Sequence, residues 1–294
     1  VGNLAYLSTF DLCDNDFTAF PEAVCGIGSL RWLYLDNNEM VGAIPDAIGN
    51  LTNMWDLYLN NNQLSGQIPS SMANLTQLIC FDFSRNNLSG QLPAAMGNIS
   101  TLREFRMQEN QFHHAYIEDV MAWNNFAGLE SFEYAPQQMV GSEREIFASE
   151  GSSIQLFIDG YTTSVNDRYQ WYKKDGTPID GATSATYQMN NLSVADSDTF
   201  YCVVNNTVTN QLTLQSRNIT LNVGSIGLAG TINNWGAQPD VPFVQSSANP
   251  ELWQLDYHFD NNAQVKFRLN ENWSINWGGN SFPQSSMVDY GNNI

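Results

Sequence analysis

Asparagine recurs at positions 15, 38, 62, 86 and 110, each time behind the same apolar run, at a spacing of 23 and then 24 residues. One copy reads Leu30-Arg-Trp-Leu33-Tyr-Leu35-Asp-Asn-Asn38-Glu-Met40. Its apolar positions return as Met54, Leu57, Leu59 and Leu64, then as Leu78, Phe81, Phe83 and Leu88, then as Leu102, Phe105, Met107 and Phe112. An earlier copy holds Leu7, Phe10, Leu12 and Phe17. One unit has too few apolar side chains to close a core, so neighbours must stack and share one. The first half of the chain is therefore a solenoid. The amides of Asn15, Asn38, Asn62, Asn86 and Asn110 are predicted to bond the backbone at each strand-to-turn corner, forming a ladder.

The pattern resembles the leucine-rich repeat, and the tails Gly66-Gln-Ile-Pro69 and Gly90-Gln-Leu-Pro93 resemble its 24-residue plant-type and bacterial class. The resemblance covers residues 1–137. A sixth strand, Leu129-Glu-Ser-Phe132-Glu-Tyr134, lacks the asparagine, follows a helix-like stretch from Tyr116 to Asn125, and is expected to cap the last repeat. Alternation along the strands turns outward Asp11, Trp32, Tyr34, Asp36, Asp56, Tyr58, Asn60, Asp82, Ser84, Glu104, Arg106 and Gln108. Of these, Trp32, Tyr34, Asp36, Asp56, Tyr58, Asp82 and Arg106 are the candidate ligand contacts of the concave face. Aromatics beside carboxylates and amides suit a sugar or a protein partner.

Asp36, Asp56 and Asp82 sit on no loop dense in oxygen ligands, so no metal site is expected. The sequons Asn50-Leu-Thr52, Asn74-Leu-Thr76 and Asn98-Ile-Ser100 share one phase of the repeat, and the repeat itself accounts for them. Cys13 and Cys25 fall on different edges of the coil, beyond the roughly 7 Å that a bridge tolerates. Free thiols are expected.

After Pro136 the period changes to alternating strands separated by turns: Ile154–Ile158, Tyr169–Lys174, Asp196–Cys202 and Ile219–Val223. The order apolar strand, Trp171, then Asp196-Ser-Asp198-Thr-Phe200-Tyr-Cys202 resembles an immunoglobulin-like domain over residues 138–224. Two positions depart from that pattern. Ile158 stands where the first cysteine would be, leaving Cys202 to pack as a small hydrophobe, and Phe200 replaces the corner tyrosine. This domain is expected to be a spacer.

Residues 225–294 hold four of the eight tryptophans, Trp235, Trp253, Trp273 and Trp277, and two bases, Lys266 and Arg268. The strand Val265–Leu269 is predicted to place Val265, Phe267 and Leu269 on one face and both cations on the other. Gly227-Leu-Ala-Gly-Thr-Ile-Asn-Asn-Trp-Gly236, with Lys266-Phe-Arg268, Asn272-Trp273 and Asn276-Trp-Gly-Gly279, resembles the SusE/SusF-type starch-binding β-sandwich modules of Bacteroidetes. That resemblance implies a non-catalytic module gripping an α-glucan-like polysaccharide through Trp273, Trp277, Lys266, Arg268, Asn272 and Trp235. The family normally adds a strand pair after Gly291–Ile294, so this module is expected to be C-terminally incomplete. Neither a signal peptide nor a lipidation site can be read from Val1 onward.

The expected architecture is multi-domain: an α/β leucine-rich-repeat solenoid, then two all-β sandwiches, immunoglobulin-like and SusE/SusF-like. With 43% hydrophobic residues the chain is not disordered, and a net charge of −19 argues against nucleic acid and anionic lipid as partners. No apolar run approaches the roughly 20 residues of a membrane span. Adjacent His113 and His114 and isolated His258 form no catalytic motif, and HExxH, GxSxG and Walker patterns do not occur. No enzyme activity and no cofactor are expected. The reading is a non-enzymatic binder on the extracellular face of a bacterial outer membrane, or secreted, that holds polysaccharide. The alternative is an adhesin or accessory subunit of an outer-membrane transport or secretion complex, acting through the repeat face.

Overall fold

The computed structural model describes residues 4, 6–236, 238–246, 253–255 and 265–277. Six three-residue strands, Thr9–Asp11, Trp32–Tyr34, Asp56–Tyr58, Cys80–Asp82, Glu104–Arg106 and Ser131–Glu133, pair in chain order into one parallel sheet. The middle residues Leu33, Leu57, Phe81 and Phe105 point into the coil and are 0% exposed. After each of the first five strands the chain passes a left-handed corner at Asp14, Asn37, Asn61, Arg85 and Glu109, with φ between 53° and 58°. Asn and Asp tolerate that region, whereas Arg85 and Glu109 occupy it at a cost on the order of 1 kcal/mol each.

One residue later comes the rung. Asn62 Nδ2 donates to the Leu35 and Leu59 carbonyls at 3.0 and 3.1 Å, and its Oδ1 accepts the Met40 N–H at 3.0 Å. Asn38, Asn86 and Asn110 repeat this pattern, each joining its own turn to a neighbour. Asn15, at the exposed end, donates to the nearby Leu12 and Cys13 carbonyls. The sixth turn lacks the asparagine but not the rung. Gln137 Nε2 donates to the Met107 and Tyr134 carbonyls at 2.9 and 2.7 Å, while its Oε1 accepts the Asn110 and Phe112 N–H groups.

On the opposite side, short 3-10 turns at Glu22–Gly26, Asp46–Asn50, Ser70–Asn74 and Ala94–Asn98 each follow a proline whose ring presets the entry φ. These turns pack closely: a Cβ on Gly49 would fall 2.7 Å from the Ser71 carbonyl oxygen. The sequon residues Asn50, Asn74 and Asn98 end three of the turns and are exposed. A narrow second parallel sheet joins Val41–Gly42, Gln63–Gly66 and Asn87–Leu88. All four cysteines carry free thiols.

The helix His114–Met121 interrupts the coil before its last strand. Beyond Pro136 the sheets are mostly antiparallel. The larger one runs in the order Arg144–Ala148, Ile219–Val223, Asp198–Asn206, Asp167–Lys173, with Thr213–Gln215 added to Asp198–Asn206. Ile154–Phe157 pairs with Thr186–Met189 in a second sheet. Trp171 lies directly across from Cys202, both 0% exposed, with Phe200 and Ile158 also buried. Burial pushes the Cys202 thiol up to about 12, which leaves it protonated and unreactive.

In the last region Ile226–Gly230 pairs with Val265–Leu269, which turns back at Asn270 and Glu271 into Asn272–Trp277. Both turn residues have positive φ, matching a two-residue hairpin. Among the described residues no helix is long and apolar enough to cross a membrane.

Candidate functional site

The parallel register sorts the outward side chains of the six-stranded sheet into rows. One row runs Thr9, Trp32, Asp56, Cys80, Glu104 and Ser131, and the next Asp11, Tyr34, Tyr58, Asp82, Arg106 and Glu133. Asp36, Asn60, Ser84 and Gln108 follow two residues beyond the second row. All seven concave-face candidates thus share one surface. Neighbouring strands lie only about 4.8 Å apart, which lets Tyr34 and Tyr58 stack with ring centroids 5.2 Å apart and planes 17° from parallel. Trp32 packs edge-on against Trp55, over which the Arg31 guanidinium sits at 4.6 Å.

Charge divides the face. Towards the C-terminal strands Arg106 gathers carboxylates: Glu104 at 2.7 Å, Glu133 at 3.1 Å and Asp82 at 3.8 Å. Asp82 is further held by the Ser84 N–H and hydroxyl at 3.0 and 2.7 Å. Towards the N-terminal strands no ion pair reaches Asp11, Asp36 or Asp56 among the described residues. Burial raises the Asp36 carboxyl above its ordinary value, and Asp14, Asp11 and Asp82 add to the rise. Asp56 is raised chiefly by burial, with Glu104 adding to it against a hydrogen bond from Trp32.

Cys80 also belongs to this face, and the leucine pattern alone gives no reason to pick it. It is 4% exposed, its Sγ 3.3 Å from the Tyr58 hydroxyl. Burial, more than any neighbour, pushes its thiol to about 11, so it is a buried thiol and not a nucleophile. A polar cleft of ≈ 300 Å³ opens at the corner edge beside Arg85, Asn87, Glu109 and Gln138. Asn62, Asn86 and Gln137, which also line it, spend their amides on the ladder.

The C-terminal candidates are arranged differently from the expectation. Arg268 is 4% exposed and its Nε and Nη2 both donate to the Asp240 carboxylate at 2.6 Å. The segment through Gly236 and Asp240 covers this face of the strand; a Cβ on Gly236 would stand 2.6 Å from the guanidinium. Alternation separates the two faces of a strand but does not say which one a loop will cover, and here the face carrying Arg268 is covered. Lys266 is half-buried opposite Ala229. Asn272, Trp273 and Trp277 stand on the strand Asn272–Trp277 and Trp235 on the turn Thr231–Gly236, but their side chains lie outside the described residues.

The histidines, which as a sequence pair suggest nothing, join the repeat region to the β region behind it. His114 is 0% exposed; its Nε2 donates to the Val204 carbonyl at 3.1 Å and its Nδ1 accepts the Thr209 hydroxyl at 2.6 Å. His113 Nδ1 accepts the Thr162 N–H at 2.9 Å, its ring between Tyr116 and Tyr161. Asn206 donates to Glu118 and Asp167 at 2.6 and 2.9 Å and accepts the Val208 and Thr209 N–H groups.

Among the described residues no group of three or more His, Cys, Asp or Glu side chains could hold a metal ion. The Leucine Rich Repeat family model matches residues 29–51, 53–75 and 77–99. No curated protein matches the chain. Among solved structures, the ectodomain of the plant receptor kinase GASSHO1/SCHENGEN3 from Arabidopsis thaliana is 29% identical over 49% of this chain and 17% of its own length, with a TM-score of 0.41. The Arabidopsis receptor kinase HAESA is 29% identical over 49% of this chain and 23% of its own, TM-score 0.41. The BIR2 ectodomain from Arabidopsis thaliana is 30% identical over 35% of this chain and 55% of its own, TM-score 0.34. The chain thus spans less than a quarter of the first two, and at such TM-scores the likeness carries no functional argument. What the repeats and the sheets do establish is a parallel-sheet leucine-rich-repeat region, matched over residues 29–99, followed by mostly antiparallel β domains.

Proposed function

We propose that this chain is a non-enzymatic binding protein, displayed at or beyond the cell surface, whose parallel sheet face holds a protein partner. One observation carries the reading: the stacked Tyr34–Tyr58 pair stands half-exposed on the sheet face, outside the apolar interior of the coil. Tyrosine offers broad contact area with two side-chain rotations to freeze, which suits a protein interface. The repeat also supplies a rigid scaffold, because every rung fixes the strand before it.

The experiment places a photo-cross-linking amino acid at Tyr58, and in a second variant at Asn74 on the opposite side, in the producing cell. A protein adduct from position 58 and none from position 74 supports the reading. Adducts from both positions or from neither overturn it. An α-glucan-like ligand on the C-terminal region is the competing proposal, supported by Lys266 and the Asn272–Trp277 strand. It requires retention on a polysaccharide gel that weakens in Lys266→Ala and not in Tyr58→Ala.

A further inference from the structure

The two halves of the sheet face hold the same kind of carboxylate row but only one of them holds a cation. On the C-terminal side a single guanidinium, Arg106, serves Glu104, Glu133 and Asp82 from within the row. On the N-terminal side the corresponding place is the Tyr34–Tyr58 pair. Asp11 and Asp82 border it in its own row, Asp56 precedes it and Asp36 follows. No base of the described chain lies within ion-pairing distance of Asp11, Asp36 or Asp56.

A second observation on this face concerns neutral groups. Asn60 Oδ1, two residues beyond Tyr58, and Gln108 Oε1, two beyond Arg106, are buried acceptors without a donor among the described residues. A buried acceptor lacking a donor costs on the order of 1–3 kcal/mol. Both oxygens are closed to an incoming group, so recognition falls to the carboxylates and the tyrosine π-faces, which call for one type of group, a planar donor with positive charge. Guanidinium meets that need better than ammonium, because it stacks on an aromatic ring and forks onto a carboxylate at once.

Resting on the reading of this face as the protein-binding surface, we propose that its N-terminal half, Tyr34 and Tyr58 with Asp36 and Asp56, receives an arginine side chain from an extended, basic segment of the partner. The partner's arginine would repeat on the N-terminal half what Arg106 does on the C-terminal half. Arg106 therefore also sets where the segment stops, since a second cation there meets a guanidinium already in place.

The test measures fluorescence anisotropy of labelled octapeptides alternating Arg-Ser, Lys-Ser or Gly-Ser on the whole chain. The Arg-Ser peptide is expected to bind about tenfold or more tightly than Gly-Ser, with Lys-Ser between them. Asp36→Asn with Asp56→Asn is expected to weaken Arg-Ser binding about tenfold. Glu22→Gln with Asp46→Asn, which removes the same charge from the opposite side, should leave it within about twofold. Tyr34→Ala is a second variant that weakens binding without changing charge, and thermal melts certify that each variant is folded. Equal weakening in both charge pairs, or equal affinity for Arg-Ser and Gly-Ser, overturns the inference. If a partner cross-links at position 58 while Arg-Ser peptide neither binds nor competes, the arginine assignment fails and the face reading stands. Arg-Ser binding lost with Asp36 and Asp56, without any adduct at position 58, supports the assignment and removes the face reading as the cell uses it.

Discussion

In the repeat region each interior rung ties together turns about 24 residues apart, so the ladder bonds join neighbouring units. In the β region behind it, Arg144–Ala148 pairs with Ile219–Val223, and a single tryptophan, Trp171, fills the space opposite Cys202. The first arrangement spreads stability over many similar units, while the second concentrates it in one core. The difference implies that damage stays local in the coil and becomes general in the β region. His114, Glu118 and Asn206 are the places where the two behaviours meet.

The largest test of that contrast is Trp171→Ala, expected to cost about 3–5 kcal/mol because the site cannot collapse around so large a void. Hydrogen exchange should show protection lost throughout residues 144–223 and retained in the strands up to Cys80–Asp82. Loss across the whole chain would break the comparison. Asn86→Ala comes next, at about 1–3 kcal/mol, since it strands the buried Leu64 N–H and leaves the Leu59 and Phe83 carbonyls with one ladder amide each, from Asn62 and Asn110. Asn15→Ala, at the exposed end, should cost less than about 1 kcal/mol.

Acid addresses the junction. Burial and the neighbouring His114 hold His113 at about 4, against an ordinary value near 6.5, with Asp167 opposing them. Burial lowers His114 as well, opposed by its bond to Val204 and by Asp167 and Glu118. Other groups facing the pair are Tyr116 and Tyr161. At His113 the native state binds fewer protons than the unfolded one below pH 6.5, so its contribution to stability should fall as pH drops from about 6.5 to about 4 and level off below that, a loss of up to about 3 kcal/mol. His113→Asn should flatten that slope in urea melts taken across the range; an unchanged slope would remove His113 from the junction's account.

Two smaller tests sharpen the coil side. Gly49→Ala drives a Cβ onto the Ser71 backbone and should cost about 1–3 kcal/mol, read as a lowered midpoint in urea. Arg85→Asn relieves a left-handed corner but gives up an exposed ion pair with Glu109 at 3.0 Å, so the net change should stay within about 0.5 kcal/mol. A loss well above that would show that the corner residues do more than turn the chain.

Much of this was legible in advance, for physical reasons. The ladder follows from a repeated apolar set beside a repeated amide, and the packing of Cys202 against Trp171 follows from a missing partner cysteine. Gln137 escaped because its amide sits one methylene further out and 27 residues past Asn110, off the period. Cys80 escaped because a small thiol carries no signal among tyrosines and acids. The burial of Arg268 depends on a loop around Asp240, 28 residues away. The junction of His114 with Thr209 spans 95 residues, a separation that no local pattern reports.

The rung at Gln137 has a consequence for how such a molecule can change length. Interior turns are interchangeable, because each asparagine presents the same bonds to the turn on either side. A further copy could enter between any two of them by duplication, widening the arc without disturbing its ends. The terminal glutamine closes the series, and Gln138 beside it already reaches back to the Asn86 and Glu109 carbonyls. Growth is therefore free in the middle of the arc and barred at its C-terminal border, so a lineage could alter how much of a partner it spans while keeping one inherited attachment to the β domains.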